Sequence, residues 1–187
     1  MLKAILFDLD DVLISSMNAH GLAYVKALSE VGVNITLEEY LRYSGATGRE
    51  VLKFICRDAN HPDINIENVY QRKHELFPEF ADYIKRIEGT IELLKSLYGK
   101  FKIGLVTSSS PQSLRITLLR LSDISDLFDA IVTAEDVTLG KPHPEAFLKA
   151  AELLGVKPDE CLVMEDSDLG IEAALKSGMK AIKVCPI

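Results

Sequence analysis

The stretch FDLDD gathers three carboxylates, Asp8, Asp10 and Asp11, at the end of the apolar run AILF. Like charges that close repel, and a buried carboxylate is costly unless something cationic pairs with it. A second acidic group, MEDSD (164–168), follows another apolar run, CLVM. Asp8 and Asp10 are two apart, so in an extended segment both would point the same way. A bend after Asp8 would instead aim one side chain and one backbone carbonyl at a shared ion. Oxygen ligands without Cys or His beside them favour Mg²⁺ over zinc. Asp166 is the best metal candidate in the second group, with Glu165 as a direct or supporting ligand. Either group alone reads equally well as a solvated loop, because Asp favours turns and helix caps. Both together, each straight after an apolar run, do not read that way.

Other residues suit a phosphoryl group. Thr107, in VTSSS, offers a hydroxyl, and the helix that opens after Ser110 offers an N-terminus friendly to anions. Lys141, in LGKPHPEAF, lies in a loop before a helix, where it could neutralise both Asp8 and a bound phosphate. Taken by itself Lys141 is a surface lysine.

Five short apolar runs position these groups: AILF (4–7), KIGLV (102–106), AIV (130–132), CLVM (161–164) and AIKVC (181–185). None alternates with polar residues, which is the pattern of strands buried on both faces. Ser110-Pro111 opens a helix with an N-cap and a Pro at the first position. Pro144 begins PEAFLKAAELLG, which Gly155 ends, and SDLGIEAALKSG closes at Gly178. Strand alternating with helix predicts an α/β fold, a Rossmann-like doubly wound parallel sheet with helices on both faces. Ligands of such sheets bind beyond the carboxyl ends of the strands, where the strand order switches. Asp8, Thr107 and Glu165/Asp166 each follow a strand and fall at that edge.

Residues 16 to 84 break the rhythm and hold no convincing strand. MNAHGLAYVKALSEVG reads as an amphipathic helix, Thr36 with Glu39 and Thr47 with Glu50 match capping boxes, and IENVYQRKHELFPEF reads as a helix interrupted near Pro78. The expected organisation is a small inserted α-helical cap at 16–83 and a core of 1–15 with 84–187.

Bulk properties narrow the field. The 187 residues are 48% hydrophobic and 26% charged, enough for a real core. Net charge is -7 and there is no Lys/Arg run, which argues against nucleic acid as a partner. No run is long enough to span a bilayer, and Asp8 interrupts the first apolar run too early for a signal peptide. Cys56, Cys161 and Cys185 have neither metal nor disulfide spacing, so a cytoplasmic location is expected.

FDLDDVL, VTSSS, GKPHPEAF and MEDSDLGIEAA, in this order, resemble the four motifs of the haloacid dehalogenase-like hydrolase superfamily. The resemblance covers nearly the whole chain and is nearest to the phosphoglycolate phosphatase and β-phosphoglucomutase-like branch. It implies a Mg²⁺-dependent phosphatase of a small phosphorylated metabolite, acting as a monomer or weak homodimer. Asp8 would be the nucleophile that forms an aspartyl-phosphate, and Asp10 the general acid and then base. Thr107, Ser108 and Lys141 would hold phosphoryl oxygens. Mg²⁺ would bind Asp8, the Asp10 carbonyl and Asp166, with Glu165 beside them. Asp10 argues against a haloacid dehalogenase, which needs no Mg²⁺ and lacks a second Asp there.

Two positions depart from the pattern. Asp11 stands where the family usually has Gly, and Ser15 where it often has Asp. In the cap, His20 matches a His of β-phosphoglucomutase-like members, and SGATGREVL (44–52) resembles their specificity loop, with Arg49 placed for a second anionic group. Lys73 is a third substrate-binding candidate, although a lysine there is more ordinarily a solvated charge. His61 and His74 read as surface residues, and His143 and the cysteines as structural. Two other functions fit part of the pattern: a β-phosphoglucomutase-like sugar phosphomutase, and a non-enzymatic phosphoacceptor domain of the receiver type. Receiver domains, however, lack the helical insertion and place the phosphorylated Asp on a later strand.

Overall fold

The computed structural model describes residues 1–43 and 47–185. The chain runs β1 (Ala4–Phe7), β2 (Ile14–Ser15), α1 (Met17–Ser29), α2 (Leu37–Leu41), α3 (Gly48–Asp58), α4 (Ile66–Leu76) and a 3₁₀ stretch (Phe77–Tyr83). It continues through β3 (Lys85–Arg86), α5 (Glu88–Leu97), β4 (Lys102–Val106), α6 (Pro111–Leu118), β5 (Ala130–Val132), α7 (Glu145–Leu154), β6 (Cys161–Glu165), α8 (Asp168–Lys176) and β7 (Lys180–Lys183).

The five apolar runs become one parallel sheet of order β5-β4-β1-β6-β7. All four residues of β1 are buried, because it is the middle strand and both its faces are covered. Successive side chains point to opposite faces. Ile5 and Phe7 pack with Ile91 and Leu94 of α5 and Leu114 of α6. Ala4 and Leu6 pack with Phe147 and Leu154 of α7 and Ala173 of α8. The chain moves outward from β1 to β4 and β5, then returns to the other side of β1 for β6 and β7. That reversal leaves a crevice above the carboxyl end of β1.

Local signals set the helix ends. The Thr36 hydroxyl accepts from the Glu39 N–H at 3.1 Å while the Glu39 carboxylate accepts from the Thr36 N–H at 2.7 Å. The Thr47 N–H donates to Glu50 at 3.0 Å. Ser110 caps α6 ahead of Pro111, and Gly155 ends α7 in the left-handed conformation at φ 65°. Helix α4 stops two residues before Pro78 and passes into the 3₁₀ stretch.

Helices α1 to α4 share their own apolar cluster, which includes Tyr24, Leu28, Leu52, Ile55, Cys56, Val69 and Leu76. The described part of residues 16–84 contains no strand, as the sequence pattern predicts. One feature is absent from that prediction. β2 and β3 pair antiparallel, Ile14 with Arg86 and Ser15 with Lys85, and so tie together the two points where the chain leaves and rejoins the sheet layer. Among the described residues no helix is long and apolar enough to cross a membrane.

Candidate active site

Just beyond β1 the chain is still held to the sheet, with the Asp8 N–H donating to the Met164 carbonyl at 2.9 Å. It then turns sharply: the Leu13 N–H returns to the Leu9 carbonyl at 2.9 Å and the Asp11 N–H donates to Ile14 at 2.6 Å. Asp11 sits at φ 57°, the left-handed region where Gly is the ordinary choice and Asp among the better-tolerated alternatives. The turn therefore survives the substitution that the motif comparison flags. It also sends Asp8 and Asp10 to different partners.

Asp8 faces Lys141. Nζ of Lys141 donates to Asp8 Oδ1 at 2.6 Å and to Glu165 Oε1 at 2.7 Å, and all three side chains are buried. Burial works against the ammonium, but the two carboxylates more than offset it and hold Lys141 above its ordinary pKa. Burial is also the largest influence on Asp8 and pushes it well up, against the pull of Lys141. The other oxygen of Glu165 accepts from the Ser167 N–H at 2.7 Å. Asp166 completes the group: burial, then the charge of Glu165, pushes it up to about 7. Asp8, Glu165 and Asp166 each offer an oxygen within 4.8 Å of the others. Three carboxylates so close, two of them pushed toward the neutral form, make a site that a hard divalent cation fits.

Asp10 turns away from that group. Its carboxylate accepts from the hydroxyls of Ser16 and of Ser109, the latter at 2.9 Å, and Thr107 Oγ1 lies 3.5 Å off. Burial opposes its charge, but His20, Ser16 and Ser109 together bring its pKa down to about 2. Thr107 is buried and accepts from the Ser109 N–H at 3.0 Å. Only the backbone carbonyl of Asp10 remains to serve an ion, as the sequence reading has it.

The helical layer closes over this edge. His20 of α1 is buried, stacks on Phe77 at 4.4 Å between ring centroids, and places Nε2 3.6 Å from Asp10 Oδ1. That nitrogen has no hydrogen-bond partner among the described residues. His20 Nδ1 lies 2.9 Å from Nζ of Lys73, which also donates to Ser113 at 3.0 Å. Lys73 is only 2% exposed, so its reading as a solvated charge is corrected. Burial lowers it to about 7. The surface reading of His74 is corrected as well. His74 is half-buried and lines the cleft, with Nδ1 2.7 Å from the Tyr70 carbonyl and Nε2 2.5 Å from Ser110 Oγ. Both histidine and lysine turn inward because α4 lies across the first turn of α6, a tertiary fact that no local pattern announces.

Asp8, Asp10, Ser108, His20, Lys73, Lys141 and Asp166 line one cleft between the sheet edge and the helices. Arg49 does not. Its guanidinium makes a two-pronged contact with Glu67, at 2.9 and 3.0 Å, and lies 3.9 Å over the Tyr70 ring. Residues 44–46 of the loop SGATGREVL lie outside the described residues.

The family profile described as haloacid dehalogenase-like hydrolase matches residues 5–184. The chain belongs to this family. It is 33% identical over 97% of its length to a phosphorylated carbohydrates phosphatase of Thermotoga maritima, covering 84% of that protein. A phosphoglycolate phosphatase of Aquifex aeolicus is 35% identical over 96% of this chain and 83% of its own. Among solved structures, a β-phosphoglucomutase from Clostridium difficile superposes with a TM-score of 0.89 at 30% identity, over 99% of this chain and 85% of that one.

In this hydrolase several cleft residues escape the motif reading. Ser16 and Ser109 bind Asp10 yet carry no distinctive spacing. Gly170 is legible only in three dimensions. A Cβ there would sit 1.7 Å from Glu165 Oε1, so the first turn of α8 can lie against Glu165 only if this residue is Gly.

Proposed function

We propose that this hydrolase is a Mg²⁺-dependent phosphatase of small phosphomonoesters that works through an aspartyl-phosphate. One observation carries the reading: the loop after β1 separates Asp8, paired with Lys141 beside two further carboxylates, from Asp10, held by hydroxyls. That is a nucleophile and a proton carrier in one short turn. Asp8 attacks phosphorus, the bond to the ester oxygen breaks, and the leaving alkoxide takes a proton from Asp10. Asp10 then accepts a proton from water as that water attacks the acyl phosphate. Inorganic phosphate leaves and the Asp8 carboxylate returns. Asp10 rests ionised, which suits the second half. An incoming phosphate dianion beside it raises its pKa and prepares the first half.

Lys141, Thr107 and Ser108 would hold the phosphoryl oxygens. Asp8, Asp166 and the Asp10 carbonyl would hold Mg²⁺, with Glu165 fixing Lys141. The bound ion would supply charge compensation to the transferring group. Residues 16–83 would serve as the cap that excludes water, with 1–15 and 84–187 as the catalytic core and the β2–β3 pair as the tether between them. Three free cysteines suit a reducing compartment such as the cytoplasm. The phosphomutase alternative needs a grip on a second phosphate, and the Glu67 pairing of Arg49 speaks against it.

The test is phosphate release from a panel of small esters and an aryl phosphate, with and without Mg²⁺. The reading requires release that depends on the ion and is abolished by Asp8→Asn. Release that survives Asp8→Asn would overturn the assignment of the nucleophile.

A further inference from the structure

The cleft beyond Asp8 differs sharply in charge from what an anionic leaving group would need. We propose that the substrate is a monophosphate whose leaving group is a neutral polyol, and that His74 with Ser110 forms the site that reads one of its hydroxyls. This rests on the phosphatase reading and adds a substrate class and a specificity residue to it.

Three observations converge. The first is the tautomer of His74. Its Nδ1 lies 2.7 Å from the Tyr70 carbonyl, which can only accept, so Nδ1 carries the proton and Nε2 is a lone-pair acceptor. Nε2 takes the Ser110 hydroxyl proton at 2.5 Å. The Ser110 oxygen in turn accepts from the Ser113 N–H at 3.3 Å. A substrate hydroxyl can replace or join this pair, since it both donates and accepts. A carboxylate or phosphate has no proton for Nε2 and meets a lone pair. Burial, followed by the charge of Lys73, lowers His74 to about 4, so it stays neutral at working pH.

The second observation is the fate of the cations. Arg49 is matched by Glu67 and lies against the ring of Tyr70. Lys73 is directed to His20 and Ser113 rather than into open space. Among the described residues neither is left to anchor a second anion. The third is the sign of what does line the cleft. Asp10, Asp11 and Asp166 face it, and a second negative group on the substrate would be repelled by them. Tyr24, Tyr40 and Tyr70 supply the rest of the wall, neutral groups with apolar bodies suited to the carbon face of a polyol.

The experiment compares kcat/KM for glycerol phosphate and hexose monophosphates with that for phosphoglycolate, pyrophosphate, a hexose bisphosphate and an aryl phosphate. The unaltered protein should favour the neutral polyol esters over the doubly anionic ones by about tenfold or more, a discrimination typical of one hydrogen-bonded group. His74→Ala should lower kcat/KM on the polyol esters by about ten- to a hundredfold and on the aryl phosphate far less, chiefly through KM. His74→Gln, which keeps an acceptor, should recover part of the loss. Preference of the unaltered protein for phosphoglycolate, pyrophosphate or the bisphosphate would overturn the substrate class without harming the phosphatase reading. Equal loss on polyol and aryl esters in His74→Ala would overturn the role of His74. No release from any ester, the aryl phosphate included, would overturn both through failure of the phosphatase reading itself.

Discussion

Two buried lysines in this protein have opposite surroundings. Lys141 touches two carboxylates, and Lys73 touches a neutral imidazole and a hydroxyl. Removing Lys141 leaves Asp8 and Glu165 buried without their cation. Breaking such a pair from one side typically costs about 3–5 kcal/mol. Lys141→Met should therefore lower the melting temperature and abolish phosphate release together, measured by calorimetry and by aryl phosphate turnover. Lys73 should behave in the reverse sense. Its pKa in the fold is about 7 against an ordinary 10.5. Between those values the unfolded chain holds a proton that the folded chain lacks, so stability rises with pH across that window. Below pH 7 both states are protonated and the penalty for burying the charge is complete. Lys73→Met should thus help the fold most at or below pH 7, and its advantage should shrink steadily toward pH 10. Melting curves of both proteins at pH 6, 8 and 9.5 check this. A difference that does not change with pH would mean that Lys73 is not buried as a charge.

At the scale of elements, the carboxyl edge of the sheet works because helices approach it closely. Helix α8 comes nearest. A methyl group at Gly170 would overlap the Glu165 carboxylate, the group that shares Lys141 with Asp8. On an isolated helix Gly→Ala gains about 1 kcal/mol, so the sign at this position is diagnostic. Gly170→Ala should destabilise rather than stabilise, and turnover should drop by about tenfold or more as Lys141 follows the displaced carboxylate. In a Glu165→Ala background the overlap is gone and the same change should regain its ordinary benefit. A double-mutant cycle on melting temperature reads that coupling directly; additive effects would break the argument. Helix α4 makes the corresponding approach from above, setting Lys73 and His74 against the first turn of α6. This is why His74 escaped the sequence reading. Periodicity marks which side of α4 is apolar, but not that a core helix N-terminus meets the edge of that side.

Across the whole molecule, the sheet was legible because its strands are buried on both faces and so lack alternation. The order of their acidic ends was legible because each follows such a run. The β2–β3 pair was not, since two residues per strand leave no pattern and the pairing is made by the chain's return from the helical layer. The division of labour within FDLDD was only half legible. The motif pointed to Asp8 and Asp10, but their separation depends on the left-handed turn at Asp11 and on hydroxyls brought from β4 and α1. What joins these parts electrostatically is the acidic group of Asp8, Glu165 and Asp166, and its behaviour without an ion leads to a global consequence. A cation bound there favours the folded state by RT ln(1 + [L]/Kd), about 2.7 kcal/mol at a hundredfold excess over Kd. For a chain of this size that is a rise of roughly 5–10 °C in melting temperature. Asp166, at about 7, must lose its proton for the ion to bind, so protons compete below that pH. The Mg²⁺-induced rise should be full at pH 8 and clearly smaller at pH 6. Asp166→Asn should remove most of it at both, while raising the melting temperature of the ion-free protein by relieving repulsion with Glu165. Calorimetry at the two pH values, with Mg²⁺ or a chelator, decides the matter independently of any turnover. A rise that ignores both pH and Asp166→Asn would place the ion elsewhere.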